Sequence, residues 1–248
     1  MKKNIFYIVI ILFTVHLAGC KENTASEYEN EPALYFENVW EGQRDSVAQT
    51  FFIKPTGTTK DTVRIEILTM GFPASEDRSF LLEQVNIGKP GAAEPGKHYI
   101  AFDDAEIQRE LIIPAGTVRK SFPLIVLYDP SLDLDEVRLE LKVKENENFK
   151  VGINEWSSFV VKISAKAIKP IMWDTYWRYI FGETWGSRKM KFIIDNTGFS
   201  NFDGGYIDSD YSDYLAAKVQ QKLLEYNANP DNLDRPLREA DGTLVEFN

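Results

Sequence analysis

Cysteine and histidine are almost missing from this chain: Cys20 stands alone, and His16 and His98 are the two histidines among 248 residues. One thiol cannot close an internal disulfide, so the fold has to hold by packing. Zinc sites assembled from His and Cys are excluded by count. Positive charge is scarce too, 28 Lys and Arg against 38 Asp and Glu. An acidic surface repels phosphate backbones and polyanionic glycans, which argues against nucleic acid as a partner. No G-x-S-x-G elbow, P-loop or dinucleotide fingerprint occurs, and internal repeats and low-complexity tracts are lacking. The uncharged run from Ile5 to Gly19 is shorter than the roughly 20 residues a bilayer core requires.

That run has another use. Lys2 and Lys3 precede it, and Leu17-Ala18-Gly19-Cys20 closes it, so residues 1–19 read as a cleavable secretory signal. The four closing residues resemble a bacterial lipobox, in which the cysteine is acylated and becomes the new amino end. Three acyl chains, at about 0.8 kcal/mol per buried CH₂, hold far more firmly than one, so Cys20 is the expected lipidation site and a membrane surface the expected partner. Cleavage removes two basic and no acidic residues and leaves 26 against 38, a balance of −12. Residues 20–31 are polar and acidic without apolar periodicity and read as a lipidated tether. Lys21-Glu22 resembles the charged export signals of Bacteroides-type surface lipoproteins but lacks their longer acidic run, so the periplasmic face of an outer membrane stays open beside the expected cell surface.

From residue 32 to 168 the pattern is strands. Val137, Leu139, Leu141 and Val143 alternate with Arg138, Glu140, Lys142 and Lys144, a period of two with one apolar face. Val63–Ile67 and Phe122–Val126 alternate likewise, and Leu34–Glu37, Thr50–Lys54, Phe80–Val85, His98–Phe102, Leu111–Ile113 and Phe159–Ile163 are further strand candidates. Nine such runs between Pro, Gly, Asp and Asn clusters predict two antiparallel sheets packed face to face, with no helix among them. Gly96-Lys97-His98-Tyr99, Ile113-Pro114-Ala115-Gly116-Thr117 and Asp129 followed by Asp135-Glu136 give residues 96–152 a resemblance to a Calx-beta domain, an immunoglobulin-like sandwich. Calcium-binding members place acidic ligands near the Asp129 position, and calcium takes six to eight oxygens. Asp129 and Asp133, with Asp103 and Asp104, are therefore candidate calcium ligands, although Tyr128 and Pro130 occupy positions where acids are expected. Otherwise no cofactor is implied.

Lys169-Pro170 marks a change of composition, and residues 169–248 are expected to form a smaller α+β region packed on the sandwich. Trp173, Trp177 and Ile180 or Phe181 recur at helical spacing, with Asp174 placed to cap. Lys189–Ile194 reads as a strand and Asn196–Gly205 as a loop. Tyr211, Leu215, Val219, Leu223 and Tyr226 form a helical stripe capped by Ser209 or Asp210 and stopped at Asn229-Pro230. Asp241-Gly242 is a hairpin-type turn. The fold class expected is thus mainly β, an immunoglobulin-like antiparallel sandwich followed by a smaller α+β C-terminal region.

Catalytic chemistry finds no motif. After cleavage His98 is the remaining histidine, and its place on a predicted strand gives it a turn or packing role. Glycoside hydrolysis needs only two carboxylates at a set separation, and composition does not separate it from binding. The aromatic density after Pro170 carries more: Trp173, Trp177 and Trp185 fall near Tyr176, Tyr179 and Phe181. Aromatic faces stack on sugar rings and dominate protein interfaces. Tyr176 and Trp185 lie off the Trp173–Trp177 stripe and are the ligand-binding candidates, while the others are expected to pack.

Across the mature length, Trp185-Gly186 with Lys189–Ile194, and the tail from Tyr226-Asn227 to Thr243, resemble an uncharacterised family of Bacteroides-type lipoproteins often encoded beside SusC/SusD-like pairs. That resemblance implies glycan acquisition and an accessory role, with a glycan or SusC/SusD-like proteins as partners. Two readings stay open: a non-enzymatic binding module, or a structural or adhesive spacer.

Overall fold

Strict alternation builds the first half of the molecule. The computed structural model describes residues 31–37 and 45–248, so Cys20, the signal and all but the last residue of the tether lie outside the described residues. Strand β1 is Ala33–Phe36 and β2 is Ser46–Thr50. They are followed by β3 (Lys60–Met70), β4 (Arg78–Ser79), β5 (Leu81–Gln84), β6 (Ile112–Ile113) and β7 (Arg119–Leu127). The last three are β8 (Val137–Lys144), β9 (Lys150–Val151) and β10 (Ser158–Ser164). Every second residue of β8 is buried, and Val63, Ile65 and Ile67 of β3 meet Phe122, Leu124 and Val126 of β7 in the same core.

Two four-stranded sheets share that core, ordered β7-β3-β1-β9 and β2-β10-β8-β5. The expectation of purely antiparallel sheets is corrected: β1 runs parallel to β9, and β2 parallel to β10. Both parallel partners are short, polar or half-exposed strands at a sheet edge, which alternation does not reveal. Pro123 is accommodated because β7 is also an edge, where a missing ladder donor is tolerated.

Three further expectations change. The run Thr50–Lys54 is not a strand, since β2 ends at Thr50 and Phe51–Lys54 turns, with the Thr50 hydroxyl accepting the Phe52 amide at 3.2 Å. His98–Phe102 forms no strand but two isolated bridges, both at Tyr99, to Pro95 and to Val126. Helical turns do occur among the strands: α1 (Ala105–Gln108), capped by Asp104, and a 3₁₀ turn at Pro130–Asp133, capped by Asp129.

Beyond Pro170 helices are the regular elements, the last of them ending at Ala228. A π turn at Trp173–Trp177 runs into α2 (Arg178–Phe181), followed by α3 (Ser187–Thr197) and α4 (Ser209–Ala228). The predicted strand Lys189–Ile194 is part of α3. Its buried Lys189, Met190, Ile193 and Ile194 follow the i, i+1, i+4, i+5 pattern of a helix face, and a short apolar run cannot separate the two periods by itself. Gly186 precedes that helix and Gly198, in the left-handed region, ends it. Asp174 makes no cap and instead pairs with Lys169 at 2.7 Å. Asp208, one residue before the expected cap, holds the α4 start. The α4 stripe buries Leu215 and Val219, whereas Tyr211 is exposed.

A second core forms here around Trp173, Trp177, Phe181, Phe199 and Phe202. The turn after β2 joins the two: Phe51 enters the sheet core, while Phe52 and Ile53 pack on the aromatic one. The Asp195 carboxylate of α3 accepts from the Thr56 amide at 3.0 Å and hydroxyl at 2.6 Å, fastening the turn that follows.

If the alternation on β8 is the source of the sheet core, Leu139→Ala should cost about 2–5 kcal/mol by urea denaturation and Lys142→Ala less than about 0.5. Equal effects would show that the faces are misassigned.

Candidate functional site

Helix α3 begins without a capping side chain of its own, because Gly186 is its N-cap residue. The orphan donors of a helix start must still be satisfied, and here the satisfying carboxylate arrives from the tail. Glu239 accepts the Arg188 amide at 3.0 Å and the Lys189 amide at 2.8 Å. The tail is folded to deliver it: the Glu239 amide donates to Thr243 O at 2.8 Å, Gly242 N to Glu239 O at 3.0 Å and Val245 N to Leu237 O at 3.0 Å. Asn227 of α4 accepts the Leu237 amide at 2.9 Å, and Arg188 reaches back to Arg238 O at 3.0 Å.

Between the α2–α3 connection and this tail lies a cleft of about 340 Å³, lined by Trp185, Lys189, Glu183, Glu239 and the stretch Thr243–Asn248. Two glycines let its walls approach. A Cβ at Gly186 would stand 2.0 Å from the Glu239 carboxylate, and one at Gly182 2.7 Å from Lys189 Nζ. Gly182 also has φ of +97°, where a side chain is strained.

Lys189 is 4% exposed, yet its ammonium borders the cleft. It donates to Thr184 O at 3.1 Å and lies 5.4 Å from the Phe247 ring centre. Burial pulls its pKa down to about 8, against the opposing pull of Glu239 and Glu246. Glu183 pairs with Arg178, and Glu246 is exposed, with no side-chain hydrogen bond or ion pair among the described residues.

Of the aromatic candidates, Trp185 is half-buried on this cleft, with its Nε1 donating to Met190 Sδ at 3.5 Å. Tyr176 does not line it. Its hydroxyl accepts the Ile207 amide at 3.1 Å, and its ring packs edge-on against Trp177 and Tyr206. Trp173 and Trp177 are wholly buried, and Trp177 Nε1 donates to Phe202 O at 2.6 Å.

The four candidate calcium ligands do not converge: among the described residues no group of three or more His, Cys, Asp or Glu could hold a metal. Asp104 caps α1, Asp129 accepts from the Ser131 amide and hydroxyl, Asp133 accepts from the Tyr128 hydroxyl, and Asp103 is exposed. His98 is 1% exposed and lies 3.0 Å from the Ser131 hydroxyl. This is not an activated serine. His98 Nδ1 accepts the Glu94 amide hydrogen at 2.9 Å, so the neutral ring carries its proton on Nε2 and donates it toward Ser131. The hydroxyl in turn donates to Asp129. Burial lowers the His98 pKa and favours that neutral form. A base must accept at this nitrogen, so the trio ties a turn together. Sequence reading missed Ser131 and Glu239 because both act across long chain separations.

A β-rich chain of two mixed sheets, followed by a helical aromatic region that carries a cleft beside Trp185, is the class of protein these features define. The chain belongs to the domain of unknown function family DUF4843, whose model matches residues 28–199. That match holds both sheets and α3, whereas Glu239 and the tail lining lie beyond it. No curated protein matches. Among solved structures, a protein of unknown function from Bacteroides ovatus is 22% identical over 52% of this chain and 43% of its own, with a TM-score of 0.36. A two-domain protein of unknown function from Bacteroides fragilis is 11% identical over 55% and 46%, at 0.34. A proposed carbohydrate binding protein from Bacteroides ovatus is 12% identical over 54% and 37%, at 0.33. The chain spans less than half the length of each.

Glu239→Ala should lower stability by about 1–2 kcal/mol in urea, the value of a lost helix cap; no loss would mean that the cap is unimportant. Lys189 sets a pH dependence of definite sign. Below pH 8 it is protonated folded and unfolded, and above its ordinary 10.5 it is neutral in both. Between these the unfolded chain binds the extra proton, so stability rises with pH. The wild-type urea midpoint should climb across this window relative to Lys189→Met. Parallel curves would contradict the burial of the ammonium.

Proposed function

We propose that this chain is a non-enzymatic binding module, held at the outer membrane through acylated Cys20, whose cleft takes a sugar in glycan acquisition. The observation that carries this reading is Trp185: a half-buried indole on a cleft whose lining also includes Lys189, Glu183, Glu239, Thr243 and Glu246. Carbohydrate recognition needs that combination, an aromatic face for the C–H side of a pyranose and convergent polar groups for its hydroxyls. A cleft of about 340 Å³ is near the lower end of the ~300–1,000 Å³ typical of ligand pockets, and suits one or two rings more than a polymer groove. Within this reading the two sheets are an immunoglobulin-like, Calx-beta-like stand for the cleft, and Asp104 and Asp129, two of the calcium candidates, serve as helix caps.

The full chain, in a detergent without a sugar headgroup, should be retained by at least one glycan on an array and in affinity electrophoresis. Trp185→Ala should weaken retention more than about tenfold, on the scale of a lost aromatic anchor. Tyr176→Phe should cost about 1 kcal/mol of stability and leave retention unchanged. Silence across all glycans, with recovery of one protein partner that survives Trp185→Ala, would replace this reading with a spacer or protein-docking module. Cys20→Ala should release the chain from membranes; continued membrane association would remove the acyl anchor.

A further inference from the structure

Trp185 shares its cleft with several charged residues. Three acidic residues, Glu183, Glu239 and Glu246, stand among its lining residues against one lysine, Lys189. Glu183 is neutralised by Arg178. Glu239 has its oxygens on the Arg188 and Lys189 amides, and the charge of both Glu239 and Glu246 acts on Lys189. The positive charge is therefore already compensated inside the protein, and one carboxylate, Glu246, is left over. Lys189 gives one of its three N–H donors to Thr184 O, so two remain for ligand oxygens.

Resting on the sugar reading above, we propose that the cleft takes a terminal neutral pyranose residue and rejects uronic and other acidic sugars, with Lys189 as hydrogen-bond donor to ring hydroxyls and Glu246 as the repelling charge. Repulsion of a carboxylate operates at close range in a partly desolvated site, where a like charge is far less screened than in bulk water. The whole chain contributes in the same direction, since acids outnumber bases 38 to 28. Lysine alone would recommend an anion. Two flanking glutamates reverse that preference, and neutral oxygens accept from the ammonium without adding charge.

Isothermal titration of the full chain, again without sugar-headgroup detergent, would compare the methyl glycosides of glucose, galactose, mannose and N-acetylglucosamine with methyl glucuronide and methyl galacturonide. At least one neutral probe is expected to bind about tenfold or more tightly than the acidic probes, and Glu246→Gln to narrow that ratio by raising the affinity for the acids. Circular dichroism of the variant checks that it is folded, which its exposed position favours. Acidic probes binding as well as or better than the neutral ones would overturn the inference and leave the sugar reading standing. A ratio unmoved by Glu246→Gln would overturn the role of that charge. No binding by any probe, neutral or acidic, would overturn both.

Discussion

Two amide hydrogens at the start of α3 end on one carboxylate that comes from fifty residues downstream. Most of the cleft depends on that contact. It satisfies a helix start that has only glycine as its N-cap residue, brings the tail back to α3, and so closes the cleft on its tail side. A carboxylate at a helix N-terminus is favoured both by hydrogen bonding and by the helix dipole. The same arrangement explains the two glycines: Gly186 leaves room for Glu239 and Gly182 for Lys189. The cleft is thus a by-product of how a helix end is satisfied, and its ammonium is buried because Phe247 and the tail cover the helix that carries it.

The two cores meet through three consecutive residues. Phe51 faces the sheets, and Phe52 and Ile53 face the aromatic cluster, while Asp195 holds the following turn by two hydrogen bonds. Such a joint fixes α3 against the sheets, and α3 in turn sets the position of Lys189. Burying large aromatics supplies the C-terminal region with a core of its own. Trp173, Trp177 and Phe181 are fully enclosed, which offsets the small number of residues available there.

Legibility in the sequence followed the strength of local patterning. The sheet-forming segments around Val63 and Val137 are readable because one face of each is apolar and the other charged, and those around Phe122 and Phe159 because apolar residues recur at every second position. Their parallel edge partners were not, since Ser46–Thr50 and Lys150–Val151 are polar and are placed by pairing alone. The Phe51-Phe52-Ile53 run looked like strand because divided burial between two cores has the composition of a buried strand. Lys189–Ile194 looked like strand because alternating lysines mimic a period of two, while the residues buried together are four apart. For the site, Trp185 could be picked out as lying off the buried stripe, and the segments Trp185–Ile194 and Tyr226–Thr243 stood out without any visible reason. Their meeting at Glu239 supplies one, and no spacing rule relates positions 188 and 239. Tyr176 shared the same off-stripe signal, but its hydroxyl was claimed by the backbone of Ile207, a partner that sequence proximity does not show.

A tail-delivered cap makes the order of the helix start and the order of the tail a single event, and amide hydrogen exchange reads both. If Glu239 builds the cleft, the amides of Arg188 and Lys189 should be protected to the same degree as Val245, whose amide is bonded to Leu237 O, and all three should lose protection together in Glu239→Ala while Met190 onward in α3 stays protected. Fast exchange at Arg188 and Lys189 beside a protected Val245 in the unaltered chain would contradict it.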